Sequence, residues 1–106
     1  MSASDHINRV LFHGTSAQLN VGDVLEPRTM NYVVGAKAVF AATEPDLAKH
    51  YAYEKMAINK SDTGSVYQVE PVDADEELKS LKGGKYVAST KGFRILGTHE
   101  TTSMDD

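Results

Sequence analysis

The chain has 106 residues, a formal net charge of −4, 25% charged and 41% hydrophobic residues, and no cysteine. A chain of this length forms one domain that buries about 60–70% of its unfolded surface, and its composition is that of a globular protein. Disulfides and thiolate metal sites are excluded, and no apolar run approaches the roughly 20 residues needed to cross a bilayer. The start of the chain, Met1-Ser-Ala-Ser-Asp-His6, has neither a basic nor an apolar leader segment. The reading is of a soluble cytoplasmic protein without a membrane partner. Lys79, Lys82 and Lys85 follow Asp73, Asp75, Glu76 and Glu77. The basic face that displaces counterions from phosphates is therefore not expected, which disfavours a nucleic-acid partner.

In chain order, residues 1–8 read as a flexible amino-terminal segment, 9–98 as one domain, and 99–106 as a polar carboxy-terminal tail. Val10–Phe12 predicts the first strand, delivering His13-Gly14-Thr15 at its end. Turn signals at Gly22-Asp23 and Glu26-Pro27 bracket the apolar pair Val24-Leu25. Residues 28–37 have no clear period and predict a loop with modest strand character, and Ala38–Ala41 predicts a second strand. Thr43-Glu44-Pro45-Asp46 predicts a helix start, with Thr43 as the cap, Pro45 in the first turn and acids at the positive end of the dipole. Leu47, Ala48, Tyr51, Ala52 and Met56 recur at helical spacing to about Ala57. Ser65–Val69 alternates as a strand stopped by Pro71, and the acidic stretch 72–82 suits a loop or a short helix. After a turn at Gly83-Gly84, Tyr86-Val87 suits a short strand, and Phe93–Leu96 predicts a final strand ending at Gly97. The sum is an α+β domain with one or two helices and five or six short strands.

Strand-His13-Gly14-Thr15, then strand Val39-Phe40-Ala41-Ala42, then a capped helix bearing Tyr51, resembles the ADP-ribosyltransferase superfamily. Within it the chain is most similar to the small rifampicin ADP-ribosyltransferases. The shared stretches include Leu19-Asn-Val-Gly-Asp-Val-Leu-Glu-Pro27, Gly64-Ser-Val-Tyr-Gln-Val-Glu-Pro71 and Phe93-Arg-Ile-Leu-Gly97, so that the likeness spans most of residues 10–97. It implies a small mixed or antiparallel split sheet with one main helix. It also implies NAD as co-substrate and transfer of ADP-ribose to a small molecule or protein, with release of nicotinamide. His13 would bond a ribose hydroxyl, the backbone of Gly14 would hold the nicotinamide amide, Phe40 and Tyr51 would pack on its ring, and Thr15 would complete the cofactor-binding set. An acid would steady positive charge on the ribose carbon as nicotinamide leaves.

Phe40 stands where the superfamily usually has a tyrosine; it keeps the stacking surface and lacks the hydroxyl. The layout of the rifampicin enzymes puts the acid within Asp75-Glu76-Glu77, whereas that of the poly-ADP-ribose polymerases puts it nearer Glu100. Glu77 is the favoured catalytic residue, followed by Glu76. The alternative is a degenerate, non-catalytic module of the same fold that binds a nucleotide or a protein, of the kind found among phage or plasmid accessory proteins. Each residue also has a purely structural reading. Phe40 and Tyr51 suit a core, Tyr53 lies off the apolar stripe, and Asp73–Glu77 suits a solvated charged turn. His6, His13, His50 and His99 lack paired ligand spacing, so no metal is expected. His99 and Glu100, adjacent on a strand, are expected on opposite faces.

Overall fold

The structure, a computed structural model, describes residues 10–103. Their strands are β1 (Leu11–Thr15), β2 (Val24–Leu25), β3 (Thr29–Asn31), β4 (Ala36–Ala42), β5 (Thr63–Pro71), β6 (Lys79–Leu81), β7 (Tyr86–Ser89) and β8 (Phe93–Ser103), and α1 covers Pro45–Asn59. Every strand pairing is antiparallel. The strands run in the order β2-β8-β5-β1-β4-β7-β6, with β3 folded back on the first half of β4. The α+β reading holds, with an antiparallel sheet and, among the described residues, one α-helix.

Alternation along the central strands separates two apolar clusters. Leu11, Ala41, Tyr67, Val69, Val87, Phe93 and Ile95 pack on one face of the sheet. Phe12, Ala42 and Val66, one residue along in each strand, face the other way and meet Ala48 of α1. The helix buries Ala48, Ala52 and Met56, a stripe of residues four apart. It approaches β1 very closely at Gly14, where a Cβ would lie 1.8 Å from the Ala48 carbonyl oxygen and 2.9 Å from the Ala52 nitrogen. The missing side chain is what lets helix backbone rest on strand backbone.

Several sequence expectations shift at the boundaries. Thr43 does not cap α1: its hydroxyl is shared between the carbonyls of Gly84 and Lys85, and Glu44 is the N-cap residue without a side-chain bond. The loop expected over 28–37 contains β3 and a turn in which Asn31 Oδ1 accepts the Val34 N–H. In the acidic stretch there is no α-helix; its end forms β6 and a 3₁₀ turn begins at Lys82. The last strand runs past Gly97 to Ser103 because β5 supplies pairing partners as far as Thr63↔Ser103. Residues 99–103, expected as tail, are therefore sheet, and Thr102 is buried with its hydroxyl on Met56 Sδ. The expected flexible segment 1–8 lies outside the described residues.

Register shifts against β5 make Leu96 and His99 the extra residues of two irregularities in β8. The second one breaks the alternation at His99 and Glu100. The His99 ring meets Phe12 edge-on with centroids 5.0 Å apart, and Glu100 accepts from Lys49 of the helix at 2.8 Å. Both therefore serve the helix side, correcting the expectation of opposite faces.

Gly14→Ala tests the closeness of the helix. No rotamer relieves a Cβ set against backbone, so the substitution is expected to cost about 3 kcal/mol or more. In a domain of this size that lowers the melting temperature by roughly 12–24 °C. A thermal melt within 3–4 °C (roughly) of wild type would show that helix and strand separate easily.

Candidate functional site

β1 and β4 share a single register pair, Phe12↔Ala42, and run apart beyond it. A cleft of about 480 Å³ opens in that gap, a volume suited to a small organic ligand. His13, Gly14 and Thr15 line it from β1, Phe40 from β4, and Tyr51 from α1. The residues singled out for cofactor binding are thus brought together from three separate stretches of chain.

His13 bridges the split. Its Nδ1 lies 3.1 Å from the Phe40 carbonyl oxygen, which can only accept, so Nδ1 carries the proton and donates. Nε2, left as an acceptor, has no partner among the described residues and is not sealed from the cleft. Burial holds the His13 pKa below its ordinary value of 6.5; the bond to Phe40 opposes this and the nearby Lys55 charge adds to it. The ring is therefore neutral at pH 7.

The neighbouring groups have clear duties. The Thr15 hydroxyl accepts the Ala17 N–H and turns the chain away from β1. Tyr67 holds the following loop, accepting from Leu19 N–H at 2.8 Å and donating to the Ala17 carbonyl. Gly14 presents its side-chain face to α1, so its main-chain edge is what remains for a ligand. Phe40 is half-buried on the cleft wall, and Tyr51 is 39% exposed at the rim with the Lys55 ammonium 5.6 Å from its ring centre. The tyrosine expected off the apolar stripe, Tyr53, does not line the cleft.

The candidate acids are not among the cleft-lining residues. Glu76 is engaged elsewhere: its carboxylate accepts from the Ser89 hydroxyl, and from the Thr90 N–H at 2.8 Å and Thr90 hydroxyl at 3.0 Å. Asp73 pairs with Lys91 across the same turn, and that ammonium holds the Asp73 carboxyl below the usual carboxylate range. Residues 73–76 thus clip the β7–β8 turn. Glu77 is exposed, and Glu100 is paired with Lys49. Among the described residues the carboxylate on the cleft wall is Glu26, accompanied by the cations Arg28 and Lys55. Sequence reasoning missed these three. Glu26 and Arg28 flank Pro27 just after β2, and the one available signal was that Lys55 falls four residues beyond Tyr51 on the helix.

Compared with protein-family models and with curated proteins, the sequence finds no match.

The half-buried wall position of Phe40 predicts that Phe40→Tyr folds normally, its hydroxyl reaching the water of the cleft. A stability loss under about 1 kcal/mol is expected in urea unfolding, against the roughly 1–3 kcal/mol of a buried unpaired hydroxyl. The larger loss would place the ring in a closed core.

His13 also makes stability depend on pH. Its pKa is lower folded than unfolded, so below the ordinary value of 6.5 the unfolded chain binds a proton that the folded chain refuses. Its stabilising contribution is complete above pH 6.5 and declines as pH falls toward and through the folded value. His13→Asn keeps an amide donor for the Phe40 carbonyl without titrating, and is expected to flatten the stability profile between about pH 5 and 7. Urea midpoints for the two proteins that fall equally over that range would refute a buried neutral His13.

Proposed function

We propose that the cleft binds NAD and that the domain is an ADP-ribosyltransferase-like protein, passing ADP-ribose to a small molecule or a protein with release of nicotinamide. The observation that carries this reading is the convergence of His13, Gly14, Thr15, Phe40 and Tyr51 on one cleft. The free Nε2 of a neutral His13 suits a ribose hydroxyl as donor. The edge of β1 beyond Phe12, unpaired with β4, suits the nicotinamide amide. Phe40 and Tyr51 offer ring faces on the cleft wall and rim.

In this reading the bond between the ribose C1′ and the nicotinamide nitrogen breaks, and its electron pair leaves with nicotinamide. Positive charge is then shared between C1′ and the ring oxygen until a lone pair of the acceptor closes on C1′. The acceptor's proton passes to a carboxylate or to water. A carboxylate near C1′ acts on charge that appears only in the transition state. Glu26 is the acid on the cleft wall and takes the part that the sequence likeness gives to Glu77 or Glu76.

The second reading, a non-catalytic module that binds a nucleotide or a protein, draws on the engagement of Glu76 in its turn and the position of Glu77 away from the cleft. NAD titration followed by amide NMR shifts, with nicotinamide release followed by chromatography, separates the two. The amides of Gly14, Thr15 and the residues around Phe40 are expected to move first. Glu26→Gln is expected to abolish nicotinamide release with NAD affinity kept within a few-fold, while Glu77→Gln retains it. Unmoved amides at millimolar NAD would end the NAD reading. Shifts without release from the wild type would select the binding module.

A further inference from the structure

The charges on the cleft wall run against the balance of the chain. The protein carries a net charge of −4, yet Arg28 and Lys55 face the cleft with Glu26 as the one opposing carboxylate among the described residues. His13, neutral at pH 7, offsets neither sign. Three other cations are paired, Lys49 with Glu100, Lys91 with Asp73 and Arg94 with Glu70. Several lysines outside the cleft, Lys37, Lys60 and Lys79 among them, form no ion pair among the described residues, so what sets Arg28 and Lys55 apart is their place on the cleft wall. Arg28 and Lys55 have no carboxylate partner among the described residues. Lys55 is only partly exposed, and its ammonium sits by the Tyr51 ring on the same helix face.

We propose that Arg28 and Lys55 clamp a diphosphate in this cleft, so that nucleoside diphosphates, ADP-ribose foremost, bind more tightly than NAD. The proposal rests on the nucleotide-binding reading above and adds the ligand's charge class. Guanidinium and ammonium groups make charge-assisted bonds to phosphate oxygens, a fork from arginine and a point charge from lysine. NAD brings a diphosphate and also a pyridinium cation, which Lys55 repels wherever the ring approaches Tyr51. ADP-ribose keeps both phosphate charges, lacks that cation, and carries the same ribose to His13. Adenosine, with no phosphate, leaves both cations without a partner.

Calorimetric titration of the full chain with ADP-ribose, ADP, NAD, adenosine and nicotinamide tests this directly. ADP-ribose is expected to bind more tightly than NAD, and ADP at least about tenfold more tightly than adenosine. Lys55→Gln and Arg28→Gln are each expected to weaken ADP-ribose about tenfold and to lessen its salt dependence. Nicotinamide alone should be indifferent to either change, and Lys55→Arg should restore most of the affinity. Circular dichroism establishes that each variant is folded; both positions carry at least partly exposed side chains away from the buried clusters. If NAD binds as tightly as ADP-ribose, or if both glutamine variants bind ADP-ribose within about twofold of wild type, the clamp is wrong while NAD binding stands. If neither NAD nor ADP-ribose binds at millimolar concentration, both the clamp and the NAD reading fall.

Discussion

The backbone of α1 rests on β1 because residue 14 has no side chain, and the Ala48 carbonyl takes the space that a Cβ would fill. Ala48 and Ala52 are small for the same reason: a larger residue at either would lift the helix from the sheet. This contact sets the height of Tyr51, Lys55 and Asn59 above the cleft. It also changes what Gly14 means. A glycine after a strand-end histidine suggests open backbone for a ligand, but the helix closes its side-chain face. The open part is the edge of β1 that turns away from β4 after their one shared pair. The same gap is spanned by His13, whose bond to the Phe40 carbonyl replaces a ladder bond that the parting strands do not make.

Charge is divided between two jobs. On the β7–β8 side, Asp73 and Glu76 hold a turn whose tightness needs Gly92 at a φ of 114° and a buried Ser89 hydroxyl that accepts the Gly92 N–H. Those carboxylates neutralise cations or satisfy N–H and O–H donors. At the cleft, by contrast, Arg28 and Lys55 have no carboxylate partner among the described residues, in a chain that is acidic overall. Two acids of the segment that reads as chemistry in the sequence, Asp73 and Glu76, are in the structure a fastening with Glu77 exposed beside them, and the quieter residues around Pro27 and on the helix stand at the ligand-sized space.

How much of this was legible depended on how local the cause was. The strands expected at Val10–Phe12 and Ser65–Val69 and the helix from Pro45 follow from apolar runs, alternation and a proline in the first turn, all written within a few residues, whereas pairing between β1 and β5 carries the first strand on through His13 to Thr15. The edge strands β3 and β6 are three residues each, too short for a period to register, and exist because β4 and β7 offer them a partner. Thr43 carried a cap signal that Gly84 and Lys85, some forty positions away, overrode. The irregularity at His99 arises from register against β5 and has no local sign. At the site, His13, Phe40 and Tyr51 could be singled out because the strand and helix blocks that contain them carry the sequence resemblance, although each lies in the interior of its element. Glu26, Arg28 and Lys55 acquire their meaning only when β2, its following loop and α1 converge on one space.

Two neighbouring stripes of α1 carry separate burdens. Ala48, Ala52 and Met56 are turned to the sheet, and Tyr51, Lys55 and Asn59, also four apart, to the cleft. Residues on the second stripe contribute little to the buried contacts that hold the helix down, although Asn59 donates to Ser16 at the cleft's far end. The helix can thus exchange what it shows a ligand while the surface that seats it stays the same. A lineage, or a designed library, could alter ligand preference through these three positions alone, with the alanine stripe and Gly14 left as fixed ground beneath them.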